Sequence, residues 1–218
     1  MRSNNSFSIA AITVAMLLAS GITATAVPTA TIAPGKGTGK ILILYFAPGE
    51  NSETDVVSSA SVTKRKGRSV GMVRALAEMI QENTGGDLVP IRTSVKYQSN
   101  IDRLIDYAAD EQKKKARPPL ISDHREIADY DVVFIGYPVW WYDLPMVMYS
   151  FFERYDLAGK RVIPFCVHNG SRFSSTIETI SELEPRANVS ADGFAVSIRQ
   201  INSADTDVAR WVTGLKLN

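Results

Sequence analysis

Short apolar runs, bounded by glycine, proline and polar residues, recur along this chain. Between them lie stretches with a helical apolar repeat. Ile41 to Phe46 is the first run and reads as a strand buried on both faces. Asp87 to Ile91 reads as a second strand, Asp131 to Tyr137 as a third and Val162 to Val167 as a fourth. A fifth contains Ala195 and Val196. Val73, Leu76, Ala77 and Ile80 share one helical face and predict a helix from about Ser69 to Asn83, ended by Gly85-Gly86. Ile101, Leu104, Ile105 and Ala108 predict another between Tyr97 and Ala116, stopped by Arg117-Pro-Pro119. Met146 to Phe152 follows Pro145, which suits a first helical turn. Ser174 to Leu183 and Ala204 to Leu215 read as the last two helices, and Ala47 to Gly67 as a long polar loop. Strands alternate with helices, and each connection is long enough for a crossover. The predicted fold is therefore α/β: a three-layer, doubly wound, five-stranded parallel sheet with helices on both faces.

In open parallel sheets ligands bind outside the carboxyl ends of the strands. After the third strand, Gly136 and Pro138 break the apolar pattern and three aromatics follow: Trp140, Trp141 and Tyr142. Three adjacent large rings in one loop cannot all face a single core. At least one must meet solvent or a flat ligand, unless the three together cap the sheet edge.

Composition adds little: the apolar and charged shares are those of an ordinary globular chain. The first 26 residues differ. Arg2 is their only charge, an apolar stretch runs from Phe7 to Ala19, and Ala24-Thr-Ala26 has the small-x-small form of a cleavage site. This predicts a secretory signal peptide over residues 1–26 and an exported protein, periplasmic or secreted; the alternative is an uncleaved anchor. Residues 27–39 read as a linker and residues 40–218 as one domain. The formal charge of +1 falls to zero without Arg2, so no basic excess points to nucleic acid. Cys166 is the lone cysteine, which excludes an intramolecular disulfide, and its apolar surroundings mark it as a core thiol. Gly35-Lys-Gly-Thr-Gly-Lys40 is no phosphate loop: Pro34 and Ile41 occupy positions that need Gly and Ser or Thr, and it precedes a strand. Ser171 lacks a Gly-x-Ser-x-Gly frame, which argues against a hydrolase.

Several short pieces occur in a telling order. They are Tyr45-Phe46, Gly49-Glu-Asn51, Ser58-Ser-Ala-Ser61, Ala77-Glu-Met-Ile80, Thr84-Gly-Gly-Asp-Leu88, Arg117-Pro118 and Tyr130-Asp131. Then come Gly136-Tyr-Pro-Val-Trp-Trp141 with Pro145-Met146, Gly159-Lys160, Pro164-Phe165 and His168-Asn-Gly-Ser171. Together, from about Lys40 to Ile198, they resemble the flavodoxin-like family, in particular its short, often exported FMN-binding branch. The resemblance implies predicted strands in the order 2-1-3-4-5 and FMN across their carboxyl edge. It implies electron transfer or reduction of a small acceptor such as a quinone, with a small-molecule or protein redox partner. The implied cofactor-binding residues are Phe46 and Ala47 after the first strand, and Ser69, Gly71, Met72 and Val73 at the head of the first helix. Pro138, Val139, Trp140, Trp141 and Tyr142 would lie beside the flavin. His168, Asn169, Gly170, Ser171 and Phe173 would border its pyrimidine side. His168 is the candidate catalytic residue, as a proton donor beside a reduced flavin; the alternative is a hydrogen bond that orients its loop.

The chain departs from the family pattern in two places. Gly71-Met72-Val73 stands where the family usually has Gly-Asn-Thr, and each hydrogen bond lost to a charged phosphate oxygen is worth about 1.5–3 kcal/mol. Ser69, Arg68, Arg74 and the serines of 58–61 are the candidates to compensate. Asn169-Gly-Ser-Arg172 replaces a glycine-rich loop, which makes Arg172 a candidate anion contact or a surface ion pair. Met72 and Val73 also motivate a second reading: a flavodoxin-like binding module that has lost its flavin.

Overall fold

The computed structural model describes residues 39–51, 62–98 and 100–217. The predicted signal segment, nearly all of the linker and Ser58-Ser-Ala-Ser61 lie outside the described residues.

β1 (Ile41–Tyr45) alternates its side chains between two cores. Ile43 and Tyr45 enter one, while Leu42 and Leu44 enter the other, each almost fully buried. A strand buried on both faces has no polar side, which is why its sequence reads as one apolar run. The chain then differs from the loop expected over Ala47 to Gly67. Its described end is an antiparallel hairpin, β2 (Val62–Arg65) against β3 (Arg68–Gly71), turning through Lys66 and Gly67 at positive φ. The hairpin is polar because ion pairs hold it. The guanidinium of Arg65 is buried and meets Glu82 at 2.8 Å and Asp205 at 2.9 Å. Because Ser69 to Gly71 belong to β3, α1 spans Met72–Thr84 and begins three residues later than the apolar repeat suggested. Its end matches expectation, with Gly85 left-handed at the C-cap.

β4 (Asp87–Pro90) follows, then α2 (Ile101–Lys114), where the Asn100 side chain accepts from Arg103 N–H. β5 (Val132–Pro138) and α3 (Met146–Arg154) form the aromatic segment. β6 (Arg161–His168), α4 (Thr176–Leu183), β7 (Asn188–Val189), β8 (Phe194–Ser197) and α5 (Asp205–Gly214) complete the chain. The sheet order is β4-β1-β5-β6-β7, with β8 also on β6, and every pairing is parallel. This is the expected 2-1-3-4-5 arrangement. The one correction is that the fifth strand is two short pieces on the same neighbour. The first, Asn188-Val189, carries too little apolar sequence to be read as a strand.

One core joins the sheet to α1 and α5; the other joins it to α2, α3 and α4. Gly136 shows why its motif needs glycine. A Cβ there would lie 2.1 Å from Cζ of Phe165 on the neighbouring strand.

Candidate functional site

The carboxyl ends of β1, β5 and β6 open into a cavity of about 440 Å³. Four loops and two helices line it, and among the described residues none of those lining it is Asp, Glu, Lys or Arg.

The aromatic loop is a very tight turn. Trp140 N–H donates to Asp143 O and Asp143 N–H to Trp140 O, both at 3.0 Å. Trp141 and Tyr142 are the two residues between them, with φ of 49° and 64°. Such a turn ordinarily takes Asn-Gly, because two left-handed residues in succession strain side chains that carry a Cβ. The surroundings enforce it. Asp143 accepts from Leu144 N–H at 2.7 Å and from Tyr149 O–H at 2.8 Å. The Trp141 indole N–H donates to Ile105 O on α2 at 3.0 Å. Trp140 packs edge-on against Phe46, with centroids 5.8 Å apart, and against Tyr97 at 5.4 Å. The outcome is one inward ring and two presented at the mouth: Trp141 is 49% and Tyr142 69% exposed.

The loop after β6 is fixed from both sides. Val139 N–H donates to Val167 O at 3.0 Å, which ties it to the aromatic loop. Tyr137 O–H donates to Thr176 Oγ1 at 2.9 Å, and that hydroxyl donates to Phe173 O at 2.6 Å. Within the loop, Gly170 N–H donates to His168 Nδ1 at 2.9 Å. An accepting Nδ1 places the proton of the neutral ring on Nε2. His168 is buried, and burial together with the charge of Arg172 holds its pKa below the ordinary histidine value. The neutral ring is thus the resting form. Burial also pushes the Cys166 thiol far up, which keeps it protonated and unreactive.

The third wall is the first turn of α1. Met72 and Val73 line the cavity; among the described residues no side chain caps this helix end, whose first turn holds no acid. The nearby cations are engaged elsewhere. Glu78 binds Arg74 at 2.9 Å and Arg68 at 3.3 Å and lies 3.7 Å from Arg65.

The cavity thus brings together Met72, Val73, Pro138, Val139, Trp140, Trp141, Tyr142, His168, Asn169, Gly170 and Ser171. Phe46 and Ala47 are buried behind it, Phe46 as the support of Trp140. Gly71 caps α1 without lining the cavity, Ser69 Oγ accepts from Lys64 on the hairpin at 2.7 Å, and the Phe173 ring fills the space beside Gly193. Sequence reasoning missed Pro48, Val167, Ile198 and above all a fourth wall on α2: Ile101, Leu104, Ile105 and Ala108. That apolar stripe was legible as a helix face, but a stripe turned to a core and one turned to a cavity have the same period. Among the described residues, no group of His, Cys, Asp or Glu could hold a metal, and no helix is long and apolar enough to cross a membrane.

The sequence matches the family model described as Flavodoxin over residues 67–215. A solved structure described as a flavoprotein from Bacteroides eggerthii is 25% identical, over 83% of this chain and 100% of that one, with a TM-score of 0.63. Another, from Bacteroides uniformis, is 24% identical over 81% of this chain and 99% of that one, with a TM-score of 0.63. A flavoprotein from Lactobacillus acidophilus, solved in complex with FMN, is 22% identical over 80% of this chain and 99% of that one, with a TM-score of 0.54. No curated protein sequence matches the chain.

Proposed function

This chain belongs to the flavodoxin family, and we propose that it is an exported FMN protein that exchanges electrons with a small acceptor such as a quinone. The observation that carries this reading is the single cavity uniting an uncapped helix start, an aromatic turn and a polar loop at the carboxyl edge of the sheet. Those three features suit the three parts of FMN. Backbone N–H groups at a helix start hold phosphate, and Met72 and Val73 stand at that start. Trp140, Trp141 and Tyr142 offer ring faces and edges to a flat heterocycle, each good contact being worth about 0.5–1.5 kcal/mol beyond burial. The loop His168 to Ser171 offers backbone groups and an imidazole to the heterocycle's polar edge.

Bound FMN supplies a ring system that takes up and returns electrons. The protein's part is to hold and dry that ring. His168 acts through Nε2–H, since Nδ1 is occupied by Gly170, so it gives a fixed hydrogen bond to the ligand's polar edge. The Val139–Val167 hydrogen bond keeps the two flanking loops in register while the ligand changes charge. Export is supported by the pattern of residues 1–26.

The test is direct: the protein is purified and titrated with FMN. The expected result is quenched flavin fluorescence, a shifted visible band and one FMN retained per chain after dialysis. The second reading, a flavin-free binding module, is favoured by the apolar Met72 and Val73 at the phosphate end. Absence of any spectral change would establish that reading in place of the first.

A further inference from the structure

Resting on the FMN reading above, we infer that the α2 wall, centred on Ile105, is the acceptor subsite, and that it selects uncharged flat molecules over charged ones.

The helix start of α1 and the polar loop lie away from α2. The first turn of α1 belongs to the core shared with α5, on the opposite face of the sheet from α2. The polar loop follows β6, and His168 goes with it. The side chains that α2 contributes are all hydrocarbon: Ile101, Leu104, Ile105 and Ala108. This side is also the mouth. Leu104 and Ala108 are buried, whereas Ile105 is 43% exposed and stands beside the exposed rings of Trp141 and Tyr142. A resident cofactor is enclosed on most sides; a molecule that comes and goes needs an open one. The Trp141 indole bonded to the Ile105 carbonyl joins the aromatic turn to α2 and spans that mouth.

Charge supplies the selectivity. Among the described residues, none that lines the cavity is Asp, Glu, Lys or Arg. A charged acceptor entering here would lose its hydration and find no counter-charge. An uncharged ring would gain the burial of its faces against isoleucine and leucine. The site therefore fits a quinone-like carbon skeleton and disfavours a sulfonated or carboxylated one.

The experiment uses FMN-loaded protein, in the oxidised state, titrated with menadione or with its 3-sulfonate and followed by tryptophan fluorescence and calorimetry. Menadione should bind about tenfold or more tightly than the sulfonate, the cost of desolvating an unpaired charge. Ile105→Asp should weaken menadione by about tenfold while the FMN dissociation constant stays within about twofold, a difference too small to mark a lost contact. Ile121→Asp adds the same charge at a site 65% exposed and outside the cavity, and should leave both affinities unchanged. Ile105→Ser tests the wall without a new charge and should weaken menadione to a smaller extent. The inference is overturned if Ile105→Asp weakens FMN in proportion, since α2 then belongs to the cofactor's own ring site. It is also overturned if neither affinity moves, or if the sulfonate binds as well as menadione. Failure of the wild-type chain to bind FMN at all removes the premise and is read separately, from the titration without menadione.

Discussion

Tyr142 carries the clearest residue-scale consequence. It sits at φ 64° and is 69% exposed, so its ring gives little burial to the fold while its backbone bears left-handed strain. Tyr142→Gly should raise the unfolding free energy by about 1 kcal/mol, since glycine adopts this conformation without strain. The same change should weaken FMN several-fold, by loss of a ring contact worth about 0.5–1.5 kcal/mol. Urea unfolding and flavin titration read the two effects in opposite directions. A second residue, Glu111, is 6% exposed on α2; burial raises its pKa from 4.5 to about 7, against the hydrogen bond from Tyr97 O–H. A raised carboxyl pKa favours the protonated form in the fold. The stability it contributes is full below pH 4.5 and is lost as pH rises through about 7. Glu111→Gln keeps an acceptor for Tyr97, and at pH 8 it should stabilise the protein by up to about 3 kcal/mol. His124 has the opposite sign. It is fully buried, and its Nδ1 has no hydrogen-bond partner among the described residues. Burial lowers its pKa, opposed by Glu126. A depressed histidine pKa favours the neutral form in the fold, so stability falls as pH drops below the ordinary value of about 6.5. In Glu111→Gln protein, unfolding free energy measured from pH 5 to 8 should therefore fall less with rising pH than in the wild type.

At the scale of elements, Arg65 is the buried cation that ties the β2–β3 hairpin to the helices. Arg65 is 7% exposed and reaches Glu82 and Asp205, tying the hairpin to α1 and to the start of α5. Removing one partner of a buried pair costs about 3–5 kcal/mol. Glu78 keeps Arg68 and Arg74, and the other two acids are half exposed, so Arg65→Ala should fall at the low end, about 3 kcal/mol. Amide exchange should show the loss first in Val62 to Gly71. The strand–helix alternation of this chain was legible from sequence because strands buried on both faces and amphipathic helices each leave a distinct period. The hairpin was not, because a polar segment held by distant charges looks like a solvated loop. Trp141 and Tyr142 stood out as rings in excess of what one core can take. Their left-handed turn was hidden, since nothing in Trp-Tyr favours that conformation without Asp143, Tyr149 and the Ile105 carbonyl around it.

For the whole molecule, FMN binding and folding are linked. A ligand at a hundredfold its dissociation constant adds about 2.7 kcal/mol to unfolding, so thermal unfolding should move upward with added FMN. The double change Met72→Asn with Val73→Thr restores two phosphate donors at the start of α1. It should tighten FMN by about two to four orders of magnitude, at about 1.5–3 kcal/mol for each of the two charged hydrogen bonds, and leave riboflavin, which has no phosphate, nearly unchanged. Comparing the two ligands separates phosphate recognition from ring recognition.

The sequence by itself determined the alternation of strands and helices, and with it a parallel sheet, and the loop that carries the rings. The first follows from the spacing of apolar residues and the second from three adjacent aromatics, both local properties; the strand order is what the family resemblance implied. Only the tertiary structure decided that α2 turns part of its stripe toward the cavity, that Glu78 occupies the cations expected near the phosphate, and that His168 Nδ1 is taken by Gly170. Each of these is a pairing or packing between groups, and which partner wins depends on where the backbone places it.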